Sequence, residues 1–330
     1  MSLSAADVVA QFGAYYIPGG QSIANVKKAL YAKSKTAMLF MDRPMEGNYF
    51  RSTQANLNSV LQSFQKAFTP LGDLTFEPNA FPLFNNKIDL SIYPDDIKSS
   101  YLGFFAGLPE EDRAAWPIVR YMIEVHCIPA KDRDIELQAI FGGSYVAPTA
   151  NVAGSPATAM DGIKKVLKRY NTAGRLNVGA GTLSMGALAT TPVDFCTQVE
   201  EWVASMNPVL RDEITEIIMS EQLSLRYRAG KRLKYGGSFN YITDASSNGL
   251  QTIEAFPQIM VKGFISHNGS DIIWATPNVN RIRPIWKTPL TSVFKIESVK
   301  REVSIFTDWW EAYDFEVPEF VVVNDAADLA

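Results

Sequence analysis

The chain has 330 residues, of which 47% are hydrophobic and 20% charged, and its formal net charge at pH 7 is −4. This balance excludes an intrinsically disordered chain and predicts a folded protein, with either two domains or one domain that carries long excursions. The weakly negative charge excludes a global basic field that would draw the protein onto nucleic acid.

We expect neither secretion nor membrane insertion. The opening stretch, MSLSAADVVAQFGAYY, lacks the basic and continuous apolar regions of a signal peptide. No apolar run approaches the roughly 20 residues that a membrane-spanning helix needs. The two cysteines, Cys127 and Cys196, belong to no metal-binding or redox motif, so we predict buried, reduced thiols in a soluble protein made in the cytoplasm.

Residues 1–71 predict an N-terminal arm made of short pieces. One helix is predicted from Ser22 to about Ala32. A second is predicted by five apolar residues at helical spacing, and Thr69-Pro70 would end it at once. These five are Leu57, Val60, Leu61, Phe64 and Phe68. Such short pieces rarely form a core by themselves, so we expect the arm to lie on another surface.

Residues 72–99 predict an extended hairpin. Apolar and polar residues alternate in LTFE and again in KIDLSI, as in two strands, and EPNAFPLFNN between them predicts a long loop. A two-stranded hairpin is marginally stable in water by itself. We therefore expect its aromatic residues Phe76, Phe81 and Phe84 to need a further surface, either in this chain or in a neighbouring copy.

A single long helix is predicted over about residues 110–141. Its apolar residues recur every three or four positions on one face, acidic residues occupy its first turn, and a Gly-Gly pair follows its end. Pro129 lies inside the pattern and predicts a kink. The adjacent His126 and Cys127 would point about 100° apart on this helix, so we do not expect them to share a metal ion.

Residues 146–159, VAPTANVAGSPATA, predict a domain boundary, after which helices and strands alternate. The helix in TPVDFCTQVEEWVASM should begin with Thr191 as its N-cap and Pro192 at its first position. Its buried face should consist of Phe195, Val199, Trp202 and Met206. EITEIIMS, QIMVKGFI and DIIWATP predict strands, and Ser220 should cap the helix EQLSLRYRAGKRLKY.

The stretch DIIWATPNVNRIRPIW, residues 271–286, predicts a strand, a turn at Pro277 and a second strand that carries Arg281 and Arg283. A catalytic loop would place a nucleophile, a base or metal ligands at such a turn, and this one offers none. This turn therefore offers no candidate for catalysis. The alternating C-terminal stretch KREVSIFTDWWEAYDFEVPEFVVV predicts strands that return to a sheet.

The sequence contains no motif for catalysis, metal binding or a cofactor. GAGTLSMG is similar to a phosphate-binding loop, but Ser184 stands where GxGxxG requires glycine, and no GK[ST] follows. His126 and His267 are the only imidazoles, and no Ser/His or Cys/His motif includes them. We therefore predict no catalytic residue, no metal site and no cofactor.

One predicted helix carries a basic cluster interleaved with tyrosines. The cluster comprises Arg226, Arg228, Lys231, Arg232 and Lys234. Basic and aromatic residues occur together on surfaces that bind single-stranded nucleic acid. A solvent-exposed face, or a set of salt bridges between subunits, explains the same residues without a nucleic-acid ligand. The sequence leaves both interpretations open.

The order of these elements resembles that of the major capsid proteins of tailed double-stranded DNA phages, which have the α+β HK97-like fold. FTPLGDLTFEPNAFPLFNNKIDLSIYPDDI resembles the E-loop of that family, and PEEDRAAWPIVRYMIEVHCIPAKDRDIELQAIF resembles its P-domain spine helix. EIIMSEQLSLRYRAGKRLKYG and IIWATPNVNRIRPIW resemble parts of its A-domain. FKIESVKREVSIFTDWWEAYDF resembles its C-terminal P-domain strands.

The resemblance implies a division of the chain into regions. These are an N-terminal arm (1–71), an E-loop (72–99), a P-domain spine-helix region (100–150), an A-domain (151–290) and C-terminal P-domain strands (291–330). The implied contacts between subunits are at Phe76, Phe81, Phe84, Lys87, Pro277, Arg281 and Arg283. Some members of the family cross-link a lysine of the E-loop to an asparagine of the P-domain, and Lys87 lies near the corresponding loop.

The function implied by the resemblance is that of a major capsid protein rather than an enzyme. Copies would assemble as hexamers and pentamers into the icosahedral shell of a virion, around double-stranded DNA that they contact without sequence specificity. Implied partners are a separate scaffold, a portal and decoration proteins, with no membrane and no cofactor. Three alternatives stay open: an encapsulin-type cellular compartment, another virion structural protein, and an enzyme with an unrecognised site.

Overall fold

The computed structural model describes residues 34–46, 49–57, 61–66, 69, 71, 74–107, 109, 118–179, 184–236, 251–286, 294–299, 302–325 and 329. Its strands are β1 (Met41–Met45), β2 (Tyr49–Leu57), β3 (Leu74–Pro82), β4 (Phe84–Ile92), β5 (Glu216–Ser220), β6 (Met260–Phe264), β7 (Trp274–Ala275), β8 (Arg281–Trp286), β9 (Lys295–Val299), β10 (Glu302–Glu311), β11 (Asp314–Phe315) and β12 (Val322–Val323). Its helices are α1 (Pro94–Ala106), α2 (118–139), α3 (Ile163–Thr172), α4 (Pro192–Ser205), α5 (Pro208–Glu213) and α6 (Glu221–Tyr235). This mixture of helices and sheets confirms the α+β class.

The described residues form two compact units, and the chain passes between them several times. The first unit contains the described parts of residues 1–39, 84–162 and 286–311, and the second contains those of 40–83, 163–285 and 312–330. Residues 312–330 belong to the second unit because β12 pairs with β7. Residues 291–330, predicted as one set of C-terminal strands, therefore divide between the two units, and their assignment to a P-domain stays a prediction.

In the first unit, an antiparallel sheet packs against α2. Strand β10 pairs with β4, from Val303 opposite Ile92 to Glu311 opposite Phe84, and also with β9. Burial alternates strictly along β10, as its sequence pattern predicts, so that one face points into a core. That core contains Ile118, Tyr121, Met122, Ile123, Cys127 and Ile128 of α2, and Phe294, Val303, Ile305 and Trp309 of the sheet segment.

The long helix α2 is irregular just before Pro129. Residues Tyr121–Cys127 form a π-helical stretch, and the N–H group of Ile128 donates to the carbonyl oxygen of Ile123, five residues earlier. Proline has no N–H group to continue an α-helical ladder. A π-helical stretch is a recognised way of accommodating such a break. The helix is therefore irregular beside Pro129, where the sequence predicts a kink, and the kink itself stays a prediction. Residues 110–117 of the predicted helix lie outside the described residues.

The predicted hairpin of residues 72–99 is wrong in its strand pairing. Strand β3 pairs with β2, from Tyr49 opposite Pro82 to Leu57 opposite Leu74, and β4 pairs with β10. The stretch expected to be a loop is itself part of β3 and β4, which only Leu83 separates. Two prolines suggested a loop, but Pro78 and Pro82 are four residues apart in a two-stranded ribbon. Their missing N–H groups can therefore both face its open edge.

The second helix predicted in the arm is also wrong where the structure describes it. Residues 61–66 are not helical, and the side chains of Leu61 and Phe64 are 92% and 94% exposed. Isolated helices shorter than about 12 residues are marginal unless they pack on a neighbouring element. The helix predicted at residues 22–32 lies outside the described residues. Helix α1, which was not predicted, begins at Pro94, a position where proline favours helix initiation.

The second unit is built on a four-stranded sheet in the order β12-β7-β5-β6. Strand β5 runs parallel to β6 and antiparallel to β7, and α6 connects β5 to β6. Helix α4 packs beside α6 over this sheet. The predicted caps are confirmed: Thr191 Oγ1 accepts from the N–H of Asp194 at 3.3 Å, and Ser220 Oγ accepts from that of Leu223 at 3.3 Å. The predicted buried face of α4 is confirmed as well, since Phe195, Val199, Trp202 and Met206 are all buried.

Glycine sets the spacing between α4 and α6. At Gly230 a Cβ atom would overlap the carbonyl oxygen of Pro192 and lie 2.9 Å from Cβ of Cys196. Where α6 crosses β6, a Cβ atom at Gly263 would lie 2.6 Å from that of Ser224. Both glycines therefore permit a closer approach than any other residue would allow.

Candidate assembly surface

The strand–turn–strand of residues 271–286 is held in place by a buried asparagine. Asn280 Nδ2 donates to Thr276 Oγ1 at 2.8 Å and to the carbonyl oxygen of Val317 at 2.9 Å. In return, the N–H of Val317 donates to Asn280 Oδ1 at 2.6 Å. A buried side chain with these three hydrogen bonds fixes the turn after Pro277 against the segment that follows β11.

Arg281 on β8 forms a buried ionic cluster. Its Nη1 lies 2.9 Å from Glu216 Oε2, and its Nη2 donates to Asn278. Lys262 binds the other oxygen of Glu216. Burial raises the pKa of Glu216, but the hydrogen bonds from Lys262 and Arg281 outweigh it and lower the pKa below its ordinary value. The cluster joins β5, β6 and β8, so its role is to hold these strands together.

Of the seven predicted inter-subunit residues, five have side chains that are largely buried within this subunit. These are Phe81, Phe84, Pro277, Arg281 and Arg283. Arg283 Nη1 lies 3.6 Å from Asp42 Oδ1, and the ring of Phe84 packs 4.9 Å from that of Tyr145. These five side chains contact their own chain, and their role in contacts between subunits stays a prediction. They are apolar or ion-paired residues that the sequence pattern could not distinguish from surface residues.

The other two predicted residues are Lys87 and Phe76. Lys87 is exposed on β4 and pairs with Asp89 at 2.5 Å, so it remains a proposed contact. The side chain of Phe76 lies outside what the structure describes.

The turn does border a surface groove, which we call the Pro277 groove. Its volume is about 410 Å³. Its lining includes Val209, Pro277, Val279 and Phe320, with Arg43, Glu213 and Glu316 among its polar residues. Val209, Val279 and Phe320 are 78%, 65% and 43% exposed. Sequence reasoning placed Pro277 at this surface but missed the three apolar residues, which come from separate segments.

The basic cluster on α6 is mostly engaged within the subunit. Lys231 is buried, and its Nζ donates to the carbonyl oxygen of Thr252 at 2.6 Å. Lys234 Nζ lies 2.9 Å from Glu200 Oε2, and Arg226 donates to the carbonyl oxygen of Ala189 at 3.2 Å. Within the described part of the chain, Arg228 and Arg232 are the two members of the cluster without such a contact, which does not favour a continuous nucleic-acid surface.

The loop that resembles a phosphate-binding loop holds a carboxylate of this chain. Ser184 Oγ donates to Asp325 Oδ2 at 2.8 Å, and the N–H groups of Met185 and Gly186 donate to Oδ1 at 2.9 and 2.8 Å. Burial raises the pKa of Asp325, but these hydrogen bonds outweigh it and lower the pKa. The described end of GAGTLSMG is therefore an anion site occupied by the C-terminal segment.

The titratable groups that could act as nucleophiles or bases are poorly placed for it. Burial raises the pKa of Cys127 to about 11 and that of Cys196 to about 12, which keeps both thiols protonated. Burial lowers the pKa of His267 to about 3; the indole Nε1 of Trp274 donates to its Nε2 at 3.1 Å, and Ser266 Oγ lies 2.9 Å from its Nδ1. Among the described residues, no three potential ligands are grouped to hold a metal ion, and no helix has the length and apolarity to span a membrane.

Comparison with known proteins gives matches in structure alone. No protein-family model matches the chain, and no curated protein matches it. A chain in the procapsid of satellite phage P4, which includes the size determination (Sid) protein, is 13% identical, with a TM-score of 0.57 over 92% of this chain and 89% of that one. A chain of Gordonia phage Cozz is 10% identical, with a TM-score of 0.50 over 88% of this chain and 86% of that one.

A third likeness is to the holo-SrpI encapsulin complex from Synechococcus elongatus PCC 7942, which is 12% identical, with a TM-score of 0.49 over 89% of this chain and 88% of that one. At such identities, structural likeness bears on the fold alone. The arrangement predicted from the sequence is confirmed at that level: the chain has the α+β HK97-like fold found in phage capsid proteins.

Proposed function

We propose that the chain is the major capsid protein of a tailed double-stranded DNA phage, whose copies assemble into the icosahedral shell of the virion head. The observation that carries this proposal is the likeness to the phage P4 procapsid chain, which extends over 92% of this chain and 89% of that one. The protonated thiols and the buried His267 fit a subunit that works by assembly rather than by covalent chemistry.

Strands β2 and β3, with the segment between them, are proposed as the E-loop in place of residues 72–99. In this ribbon, β2 and β3 are joined through nine pairs of opposed residues. Leu61 and Phe64, which lie between the two strands in sequence, are almost fully exposed. Apolar side chains gain roughly 1.5–3 kcal/mol each when they are fully buried. A neighbouring subunit that covered them would therefore stabilise both the ribbon and the shell.

The remaining features of the proposal concern partners. Copies form hexamers and pentamers, and a separate scaffold, a portal and decoration proteins act on the same shell. The net charge of −4 suits a shell that encloses DNA without binding it tightly. Residues such as Lys87 on the exposed side of β4 would meet neighbouring subunits.

The test is electron microscopy of the purified protein, alone and with its scaffold. Closed particles are expected, and they should contain nuclease-resistant double-stranded DNA when they are isolated from infected cells. A monomer or a small discrete oligomer under all of these conditions would contradict the proposal. Particles that contain a packaged protein and no DNA would favour the encapsulin alternative instead.

A paired variant tests the proposed E-loop. Replacing both Leu61 and Phe64 with serine should leave the folded subunit intact, because neither side chain is covered, but should prevent closed shells from forming. The matched control is Val152→Ser, which removes an apolar side chain that is 64% exposed in the first unit. Shells of normal yield from the double variant would exclude these residues from assembly.

A further inference from the structure

The exposed face of α6 is unusually apolar for a helix that lies on the surface of the second unit. Its inner face buries Leu223, Tyr227 and Lys231. On the opposite side, Leu225 and Leu233 are 53% and 66% exposed. They are eight residues apart, with Ala229 between them at i+4, so the three side chains form one stripe.

Arginines border this stripe. Arg228 and Arg232 lie one turn apart, and no ion pair of either is found among the described residues. Within the same helix, Lys231 and Lys234 are held by Glu254 and Glu200. The outer face of α6 therefore combines exposed leucines with the exposed charge of Arg232, next to the half-buried Arg228.

The Pro277 groove is complementary to the exposed face of α6 in shape and in charge. It is concave, its exposed lining is formed by Val209, Val279 and Phe320, and carboxylates of Glu213 and Glu316 lie at its edge. Glu316 lies 3.5 Å from Arg43, whereas Glu213 is exposed and makes no ion pair within the described part of the chain. Exposed apolar surface with a polar border is typical of a protein–protein contact.

We infer that the exposed face of α6 in one copy packs into the Pro277 groove of a second copy. Leu225 and Leu233 would cover Val209, Val279 and Phe320, and Arg232 would approach Glu213 of the other copy. The occupant is taken to be a second copy because the helix face and the groove are complementary in charge and both belong to this chain. The inference rests on the proposed function, since it assigns one of the contacts of the assembled shell.

The two surfaces of this contact are different, so the contact is heterologous. A heterologous contact repeats from copy to copy and generates a ring when the rotation closes. The inference therefore assigns a contact that links more than two subunits in succession. An isologous contact, in which α6 meets α6, would stop at a dimer.

Disulfide cross-linking tests the geometry directly. The variant with both Leu233→Cys and Val279→Cys, oxidised under assembly conditions, should give a ladder of covalent species larger than dimers on a denaturing gel. The two single variants are the controls, and neither should form the ladder, because each lacks the partner thiol. Both native cysteines are buried, so the parent protein should show little cross-linking.

A charge reversal tests the ionic part of the contact. Arg232→Glu and Glu213→Arg should each lower the yield of shells at least several-fold, and combining them should restore most of it. Thermal unfolding of the dissociated subunits should be unchanged in all three variants, since both residues are exposed. Shell formation that is equal in the parent and in both single variants would overturn the inference.

The outcomes separate the inference from the proposed function. If the parent forms no shell or capsomer, the proposed function fails. If the parent forms shells and the paired cysteines give no ladder, the function stands and this contact is refuted. A dimer from either single-cysteine variant would show an isologous contact, and would also refute it. If Glu213→Arg forms shells normally but loses binding to another protein, the groove is the binding site of that protein, and the inference is overturned.

Discussion

His267 should make the folded subunit sensitive to mild acid. The imidazole is fully buried beside Trp274, and burial lowers its pKa from an ordinary value of 6.5 to about 3. Between these two values the unfolded chain binds a proton that the folded chain excludes. The free energy of unfolding therefore falls as the pH drops below 6.5, and the loss is complete near pH 3.

The magnitude follows from the two pKa values. One unit of difference corresponds to about 1.4 kcal/mol, so the full effect of this one residue is about 5 kcal/mol. Over the narrower step from pH 7 to pH 5, the same relation gives a loss of roughly 2 kcal/mol. That loss is a large part of the stability of an ordinary domain, which is about 5–15 kcal/mol in total.

The perturbation is His267→Gln, which keeps an acceptor within reach of the Trp274 indole and removes the titration. Urea unfolding of dissociated subunits at pH 7 and pH 5 gives the free energy of unfolding for each protein. The variant is expected to lose roughly 2 kcal/mol less than the parent between these pH values. The control is His126→Gln, at an exposed histidine, which should lose as much stability as the parent.

An equal pH dependence in the parent and in His267→Gln would refute the reasoning. It would mean that the imidazole is protonated in the folded state, or that water reaches it. Measuring the difference between two proteins removes the contribution of the carboxylates, which titrate in both.

Two further substitutions test the packing of the second unit. Gly230→Ala should lower the free energy of unfolding by about 1–3 kcal/mol, because its methyl group would overlap the carbonyl oxygen of Pro192. The measurement is the midpoint of unfolding in urea. An unchanged midpoint would show that α4 and α6 can move apart without cost. Arg281→Met should cost about 3–5 kcal/mol, because it removes a buried partner of Glu216. Arg232→Met, at an exposed position, should change the stability of the dissociated subunit by less than about 0.5 kcal/mol. Equal effects from the two substitutions would argue against a buried ion pair at Arg281.

The parts of the fold that could be predicted from the sequence are those specified by neighbouring residues. Thr191 and Ser220 cap α4 and α6 as expected, because a cap, the first turn and the apolar stripe all lie within a few positions. The alternation along β10 likewise identifies a strand with one buried face. The order of these local elements was sufficient for the resemblance to a capsid fold.

Pairing between distant segments was beyond the local pattern. Strand β2 was not predicted at all, and its partner β3 contains Pro78 and Pro82, which indicate a loop unless the open edge of the ribbon is known. The Pro277 groove is similar, because Val209, Val279 and Phe320 come together only in the folded chain. Whether an arginine on a strand is buried, as Arg281 is, depends on carboxylates on other strands.

The carboxylate of Asp325, held by Ser184 and two N–H groups, also has a consequence for anion binding. A group tethered to the same chain competes with any free anion at an effective concentration on the order of millimolar. Inorganic phosphate or the sugar-phosphate backbone would have to displace it before using those donors. These three donors are therefore already occupied, and a phosphate group, free or in a nucleic acid, finds no open site there.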